Sequence, residues 1–275
     1  MKRWTSCHLT ASSPDRKSCN RHTGNNRPGV RNLSTPGFIF AGIVVKFHPM
    51  KIKGIIFDFD GLLVDTETPQ LRAWQKIYAA NGATLHLQEW VQCLGTSADA
   101  FDPIADLRSK TARPLDAQAL IQHQRALVNR DLLHEPLRPG IRELLFEARS
   151  ENLSLAVASS SNRKWVHDGL QRSAILNYFP VVCTSEDVRL VKPHPELYQL
   201  ALHRMGLPGD EVVVLEDSPN GIRAAKAAGL FCAAYPNEIS QHLDLTQADV
   251  ILPVLDRIEF FDLLRSGFRS NRQAK

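Results

Sequence analysis

Six short apolar runs alternate with amphipathic segments from residue 52 onward, and that alternation constrains the fold of this chain more than any other feature. Residues 55–59 (IIFDF), 153–159 (LSLAVAS), 181–185 (VVCTS), 211–217 (EVVVLED), 231–235 (FCAAY) and 248–252 (ADVIL) read as strands. Helical periods fall at about 140–151, 163–172, 195–206 and 219–228. Strands separated by helices of that length predict an α/β fold with a parallel sheet covered on both faces. Right-handed crossovers make it a doubly wound, Rossmann-like sheet. Ser161 or Asn162 offers a cap for a helix at Arg163, and Ser218-Pro219 supplies a cap followed by proline at the first position.

Residues 68–138 break the alternation. They hold helical patterns at about 69–81, 88–94, 98–109 and 116–134 and no convincing strand. This predicts a small all-helical cap domain inserted after the first strand. Residues 50–67 and 139–265 then form the core domain, with 266–275 a disordered tail.

Residues 1–49 have a different composition. Residues 1–50 hold eight Lys and Arg against Asp15 alone, so the rest of the chain carries a small negative excess within the formal net charge of +4. The basic balance therefore gives no support for nucleic-acid binding by the folded part. The apolar stretch 37–47 is far short of the ~20 residues that span a bilayer. Three readings of this segment stand: a disordered extension, an organellar transit peptide, or untranslated sequence upstream of a true start at Met50. Five scattered cysteines without a CxxC pair exclude a disulfide framework and suit a reducing compartment. The expectation is a cytoplasmic monomer, or an imported one if the transit reading holds.

Each predicted strand ends in polar residues, and open parallel sheets bind ligands at their carboxyl ends. The first ends at Asp58 and Asp60, the second at Ser159-Ser160-Ser161, a later one at Glu216-Asp217, and Lys192 follows the strand at 181. A period of two aims Asp58 and Asp60 to one side. Several carboxylates at close range form a hard-oxygen site, for which Mg²⁺ is the natural occupant. A lysine and a serine beside it suit a phosphoryl group. One aspartate can attack phosphorus while the other protonates the leaving oxygen and later activates water. Gly61 permits a sharp turn that brings backbone N–H groups to phosphate oxygens.

DFDGLLVDTE, ASSS, KPHPELY and LEDSPNGIRAAKAAG, in that order, resemble the four motifs of the haloacid dehalogenase-like hydrolases over residues 52 to about 264. The likeness is to the helical-cap branch, which includes sugar-phosphate phosphatases and beta-phosphoglucomutases. It implies Asp58 as nucleophile, Asp60 as acid and base, Ser159 and Ser160 at the phosphate, and Lys192 as the charge-balancing lysine. It implies Mg²⁺ on the Asp58 side chain, the Asp60 carbonyl and Asp217, with Glu216 in or beside that set. Gln70 stands where the mutases carry a histidine, and Ala98 where they carry a cap arginine.

The expected activity is Mg²⁺-dependent hydrolysis of a small phosphorylated metabolite, a sugar or polyol phosphate, through an aspartyl-phosphate. A mutase and a non-catalytic metabolite-binding protein on the same fold are the alternatives. Substrate choice is expected from Glu67, Thr68, Gln70, Arg72, Thr96 and Ser97. Arg72, Lys110, Arg113 and Arg138 are the cations that could serve a second phosphate. Trp74, Trp90 and Trp165 read as packing anchors, and His194 as structural.

Overall fold

The computed structural model describes residues 52–91 and 101–265. Residues 1–51, 92–100 and 266–275, and with them the readings of the N-terminal segment, the tail, Thr96, Ser97 and Ala98, lie outside the described residues.

Six parallel strands form one sheet in the order β3-β2-β1-β4-β5-β6. They are β1 (Gly54–Phe57), β2 (Ser154–Ala158), β3 (Val181–Cys183), β4 (Val212–Glu216), β5 (Phe231–Ala234) and β6 (Val250–Ile251). The doubly wound sheet is thus present, with β1 at its centre. Phe57 lies opposite Val157 on one side and Leu215 on the other. Alternate residues feed separate cores. Ile55, Phe57, Val157 and Leu215 join the cluster on one face, and Ile56, Ala156, Val214 and Cys232 the cluster on the other. Each fully buried large aliphatic or aromatic side chain contributes about 1.5–3 kcal/mol.

The helices facing the sheet are α5 (Ile141–Ser150), α6 (Arg163–Arg172), α7 (Glu196–Met205), α8 (Pro219–Ala227) and α9 (Arg257–Arg265). Asn162 caps α6 by accepting from the Trp165 N–H at 2.9 Å. Ser218 caps α8, with Pro219 in its first turn. Helix α9 was not among the helical patterns read from the sequence; its Phe260, Phe261 and Leu264 complete the core beside α5.

Between β1 and β2 the described residues hold α1 (Glu67–Ala80), α2 (Leu87–Trp90), α3 (Pro103–Lys110) and α4 (Ala117–Leu132). Trp74, Ile77, Tyr78, Trp90, Ile104 and Leu107 give these helices a cluster of their own. The third helix starts later than its periodicity suggests, because Asp102 caps it and Pro103 occupies the first turn. The two connections to the sheet run side by side: Val64 bridges Leu137, and the Arg138 N–H donates to the Leu63 carbonyl at 3.0 Å.

The third strand is shorter than its apolar run because 185–187 turn into a 3-10 helix. The Asp187 carboxylate enforces the turn, accepting from the Thr184 N–H and hydroxyl, both at 2.9 Å. Arg163 of α6 and Arg204 of α7 each donate to its other oxygen at 2.9 Å. Burial pushes this carboxyl up, but the donors from Arg204, Thr184 and Arg163 outweigh it and hold it well below the ordinary range. A depressed native value stabilises the fold above the unfolded value of about 3.9, and the contribution fades as pH falls through the native one. Asp187→Asn should therefore lower the melting temperature by roughly 2–6 °C at pH 7. The gap between variant and wild type should close progressively below about pH 4, as read from melting curves across pH.

Candidate active site

The strand ladder continues one residue past β1, since the Asp58 N–H donates to the Leu215 carbonyl at 3.0 Å. Asp58 thus stands in register between the ends of β2 and β4. Phe59 turns into the core, its ring against Gly169, where a Cβ would collide with it. Asp60 follows on the open side. Gly61 then adopts φ +76°, and a Cβ there would meet the carboxylate of Asp217. The glycine is required by backbone sign and by space together.

Lys192 reaches this point from the loop between β3 and α7. Its ammonium donates to Asp58 Oδ1 at 2.5 Å and to Glu216 Oε1 at 2.7 Å. Burial would strip the lysine of its proton, but the charges of Asp58 and Glu216 hold its pKa above the ordinary value. Glu216 is fully buried. Its Oε1 also accepts from the Tyr198 hydroxyl at 2.7 Å, and Oε2 from the Asp217 N–H, the Ser218 N–H and the Ser218 hydroxyl at 2.9, 3.1 and 3.1 Å. Burial raises this carboxyl too, yet Lys192 and these donors bring it below the usual range. These donors engage both oxygens, so the Glu216 carboxylate holds Lys192 and the turn into α8 as well as standing beside Asp58 and Asp217.

Asp217 is placed otherwise. Its Oδ2 accepts from Asn237 Nδ2 at 2.8 Å, while Oδ1 is buried with no hydrogen-bond partner. Burial, then the charges of Glu216, Asp58 and Glu67, push this carboxyl well above its ordinary value, with Arg138 opposing. Asp58 is likewise raised to about 7, by burial first and by Glu216 and Asp60, against the pull of Lys192. Asp58, Glu216 and Asp217 thus crowd together while the Lys192 ammonium pairs with Asp58 and Glu216 alone. A divalent cation fits that imbalance and the orphaned Asp217 oxygen. Ligand oxygens of Asp58, Glu216 and Asp217 lie within 4.8 Å of one another.

Asp60 faces three donors. Trp165 Nε1 donates to Oδ1 at 2.7 Å, and the Ser161 and Ser159 hydroxyls to Oδ2 at 2.6 and 3.3 Å. Beyond the packing role its sequence position suggests, Trp165 thus donates a hydrogen bond to Asp60. Ser159 is wholly buried and accepts from the Ser161 N–H at 3.0 Å. Asp58, Asp60, Ser160, Lys192 and Asp217 line a cavity of about 470 Å³, whose wall includes Glu67 and Gln70 of α1 and Arg125 of α4.

Other expectations are redirected. Thr68 is buried and Arg72 exposed, and neither lines the cavity. Lys110 pairs with Glu89 at 2.6 Å and Asp106 at 2.9 Å. Arg138 is buried, donating to the carbonyls of Gly61, Tyr235 and Pro236 at 2.9, 2.8 and 2.6 Å. Sequence reasoning missed Arg125, Asn237 and Tyr198. Tyr198 lies inside a quoted motif, Arg125 on a helical pattern that gives no sign of which face meets the sheet edge, and Asn237 in a segment without a pattern.

The sequence matches the family described as haloacid dehalogenase-like hydrolase over residues 55–235. The chain belongs to this family. It is 37% identical over 213 residues to YhcW of Bacillus subtilis, covering 78% of this chain and 96% of that one. It is 31% identical over 180 residues to a protein of Thermotoga maritima named "Phosphorylated carbohydrates phosphatase", covering 65% and 82%. The crystal structure of a mutant of CbbY from Rhodobacter sphaeroides in complex with xylulose-(1,5)bisphosphate is similar at TM-score 0.57 and 27% identity, over 74% of this chain and 95% of that one. A haloacid dehalogenase-like hydrolase with such relatives is an enzyme, a phosphatase of the phosphoric monoester hydrolase class.

Gly221 ties the hydrolase's fourth motif to its lysine. A Cβ at this position in α8 would overlap the Glu216 carboxylate. Alanine ordinarily outranks glycine inside a helix by about 1 kcal/mol, but overpacking costs ~1–3 kcal/mol and here strikes the group that holds Lys192. Gly221→Ala should lower both the melting temperature and, by at least roughly tenfold, kcat/KM for any phosphomonoester. A rise in melting temperature would contradict the packing of Glu216 against α8.

Proposed function

We propose that this protein hydrolyses a small phosphorylated sugar or polyol, with Mg²⁺, through an aspartyl-phosphate on Asp58, the helical segment 68–138 serving as its cap. The observation that carries the reading is a buried carboxylate, Asp58, held by Lys192 at 2.5 Å beside the unpartnered Asp217 Oδ1. Both residues line one cavity under α1 and α4.

The phosphate is received by Ser159, Ser160 and Lys192, beside the turn at Gly61. Asp58 attacks phosphorus, and a P–O bond to its carboxylate forms as the bond to the leaving oxygen breaks. Asp60 gives its proton to that oxygen. Water then attacks the phosphoryl group as Asp60 takes a proton back, which frees phosphate and restores the Asp58 carboxylate. Acid–base help of this kind is worth roughly 10²–10⁴-fold. Asp58, Asp217 and the Asp60 carbonyl would hold Mg²⁺, which supplies charge neutralisation and orientation of the phosphoryl oxygens when bound. Glu216 serves by fixing Lys192.

Phosphorylated carbohydrates as the substrate class draw support from the Thermotoga maritima relative and from the sugar bisphosphate bound to CbbY. Gln70 brings no charge to the cavity, while Arg125 does. Arg125 is therefore assigned to the far, non-reacting end of the substrate; water as phosphoryl acceptor rests on uncharged Gln70 standing where the mutases carry a histidine. Cytoplasmic residence remains the proposed compartment; no described helix is long and apolar enough to cross a membrane.

Phosphate release from a panel of phosphorylated sugars and polyols tests the reading. Turnover should require Mg²⁺ and stop with EDTA. Asp58→Asn should fold normally yet form no acid-stable phospho-enzyme. Full activity in chelated protein would remove the metal from the reaction, and a labelled Asp58→Asn would move the nucleophile elsewhere.

Arg125→Ala should raise KM for the best substrate by roughly tenfold while kcat changes little, since it deletes a charge-assisted contact remote from the reacting atoms. An unchanged KM would take Arg125 out of substrate recognition.

A further inference from the structure

Asp60 must present one carboxyl oxygen to the leaving group in a defined orientation, and its two oxygens are held very differently. Oδ1 accepts from the indole N–H of Trp165 at 2.7 Å. Oδ2 accepts from hydroxyls, Ser161 at 2.6 Å and Ser159 at 3.3 Å. A hydroxyl hydrogen swings about its Cβ–Oγ bond and can turn to another acceptor. The indole N–H lies in the plane of its ring and moves only with the whole side chain. That ring packs against the core, and the Trp165 backbone is pinned by the Asn162 cap at 2.9 Å.

We infer that Trp165 is a positioning residue for the reaction: its fixed N–H holds Asp60 Oδ1 and so sets the orientation in which the Asp60 carboxyl group meets the leaving oxygen. An indole nitrogen donates and cannot accept, so Trp165 holds Oδ1 in one place, while Oδ2 lies beside the Ser159 hydroxyl that the proposed function gives to the phosphate. When the phosphate engages Ser159, that hydroxyl turns away from Oδ2, while Trp165 keeps Oδ1 in place. Trp165 lines the cavity together with Asp60 and Ser161. Among the described residues the indole N–H donates to Asp60 alone, so no competing structural contact claims it. The inference rests on Asp60 being the proton donor of the proposed reaction.

The test exploits the leaving group. A sugar alkoxide needs a proton as it departs, whereas p-nitrophenolate departs readily without one. The quantity measured is kcat/KM, which reports the steps up to phosphoryl transfer to Asp58, for p-nitrophenyl phosphate and for the best sugar phosphate of the panel. Trp165→Phe keeps an aromatic ring and removes the N–H. It should reduce kcat/KM for the sugar phosphate by roughly ten- to hundredfold, part of what a general acid supplies. The value for p-nitrophenyl phosphate should stay within about threefold of wild type. Asp60→Asn should show the same selectivity, more strongly. If Trp165→Phe unfolds the protein, benzothienylalanine incorporated at position 165 replaces the N–H with sulfur in a ring of the same shape, and the same pair of rates is read. Equal losses on both substrates, or no loss on either, with Asp60→Asn still selective, would overturn the role of Trp165. An Asp60→Asn variant that loses both substrates equally would instead overturn Asp60 as the acid.

Discussion

The ammonium of Lys192, shared between Asp58 and Glu216, is the interaction on which the rest of the site depends. Both carboxylates are buried at the ends of neighbouring parallel strands, where neither is tolerable without a cation. Removing one partner of such a buried pair costs about 3–5 kcal/mol. The surrounding structure is arranged to keep the pair intact. Tyr198 from α7 and the Ser218 turn fill the remaining acceptor positions of Glu216, and Gly221 leaves room for its carboxylate. Glu216 fixes the charge of Lys192, and Asp58 and Asp217 line the cavity beside it.

A second network joins the helical segment to the same point. Arg138 sits in the chain's return from that segment and donates to the Gly61, Tyr235 and Pro236 carbonyls, its guanidinium lying 3.7 Å from the centre of the Tyr235 ring. Asn237 donates both to the Gly61 carbonyl and to Asp217 Oδ2. The turn after Asp60, the connection to the helices and the orientation of Asp217 are therefore one hydrogen-bonded unit. Displacement of the helical segment would be felt at Asp217 through two side chains. A buried arginine satisfied by three carbonyls is an effective joint, since its planar fork reaches several acceptors at once.

Much of this was legible in the sequence, and the reason is local. The six strands follow from short apolar runs and their alternation with helical periods, and the caps of α6 and α8 from Asn162 and Ser218-Pro219. Elements set largely by tertiary contacts were read less well. The short β3 ends where Asp187 gathers arginines from two helices. Helix α9 finds its partner face only once α5 is in place.

The sequence by itself determined the parallel sheet, the order of its motifs and the arrival of Asp58, Asp60, Ser159, Lys192, Glu216 and Asp217 at one edge. Strand direction and a side-chain period of two are properties of each segment alone. Only the tertiary structure decided what those residues do for one another. It joined Trp165 to Asp60 across a sequence separation of 105 and Lys192 to Asp58 across 134. It set both oxygens of Glu216 against Lys192, Tyr198 and the Ser218 turn, buried Arg138 against backbone and brought Arg125 to the cavity wall. Such pairings depend on which helix face packs on which strand end and on the rotamers that packing leaves open. No local pattern in a chain encodes them.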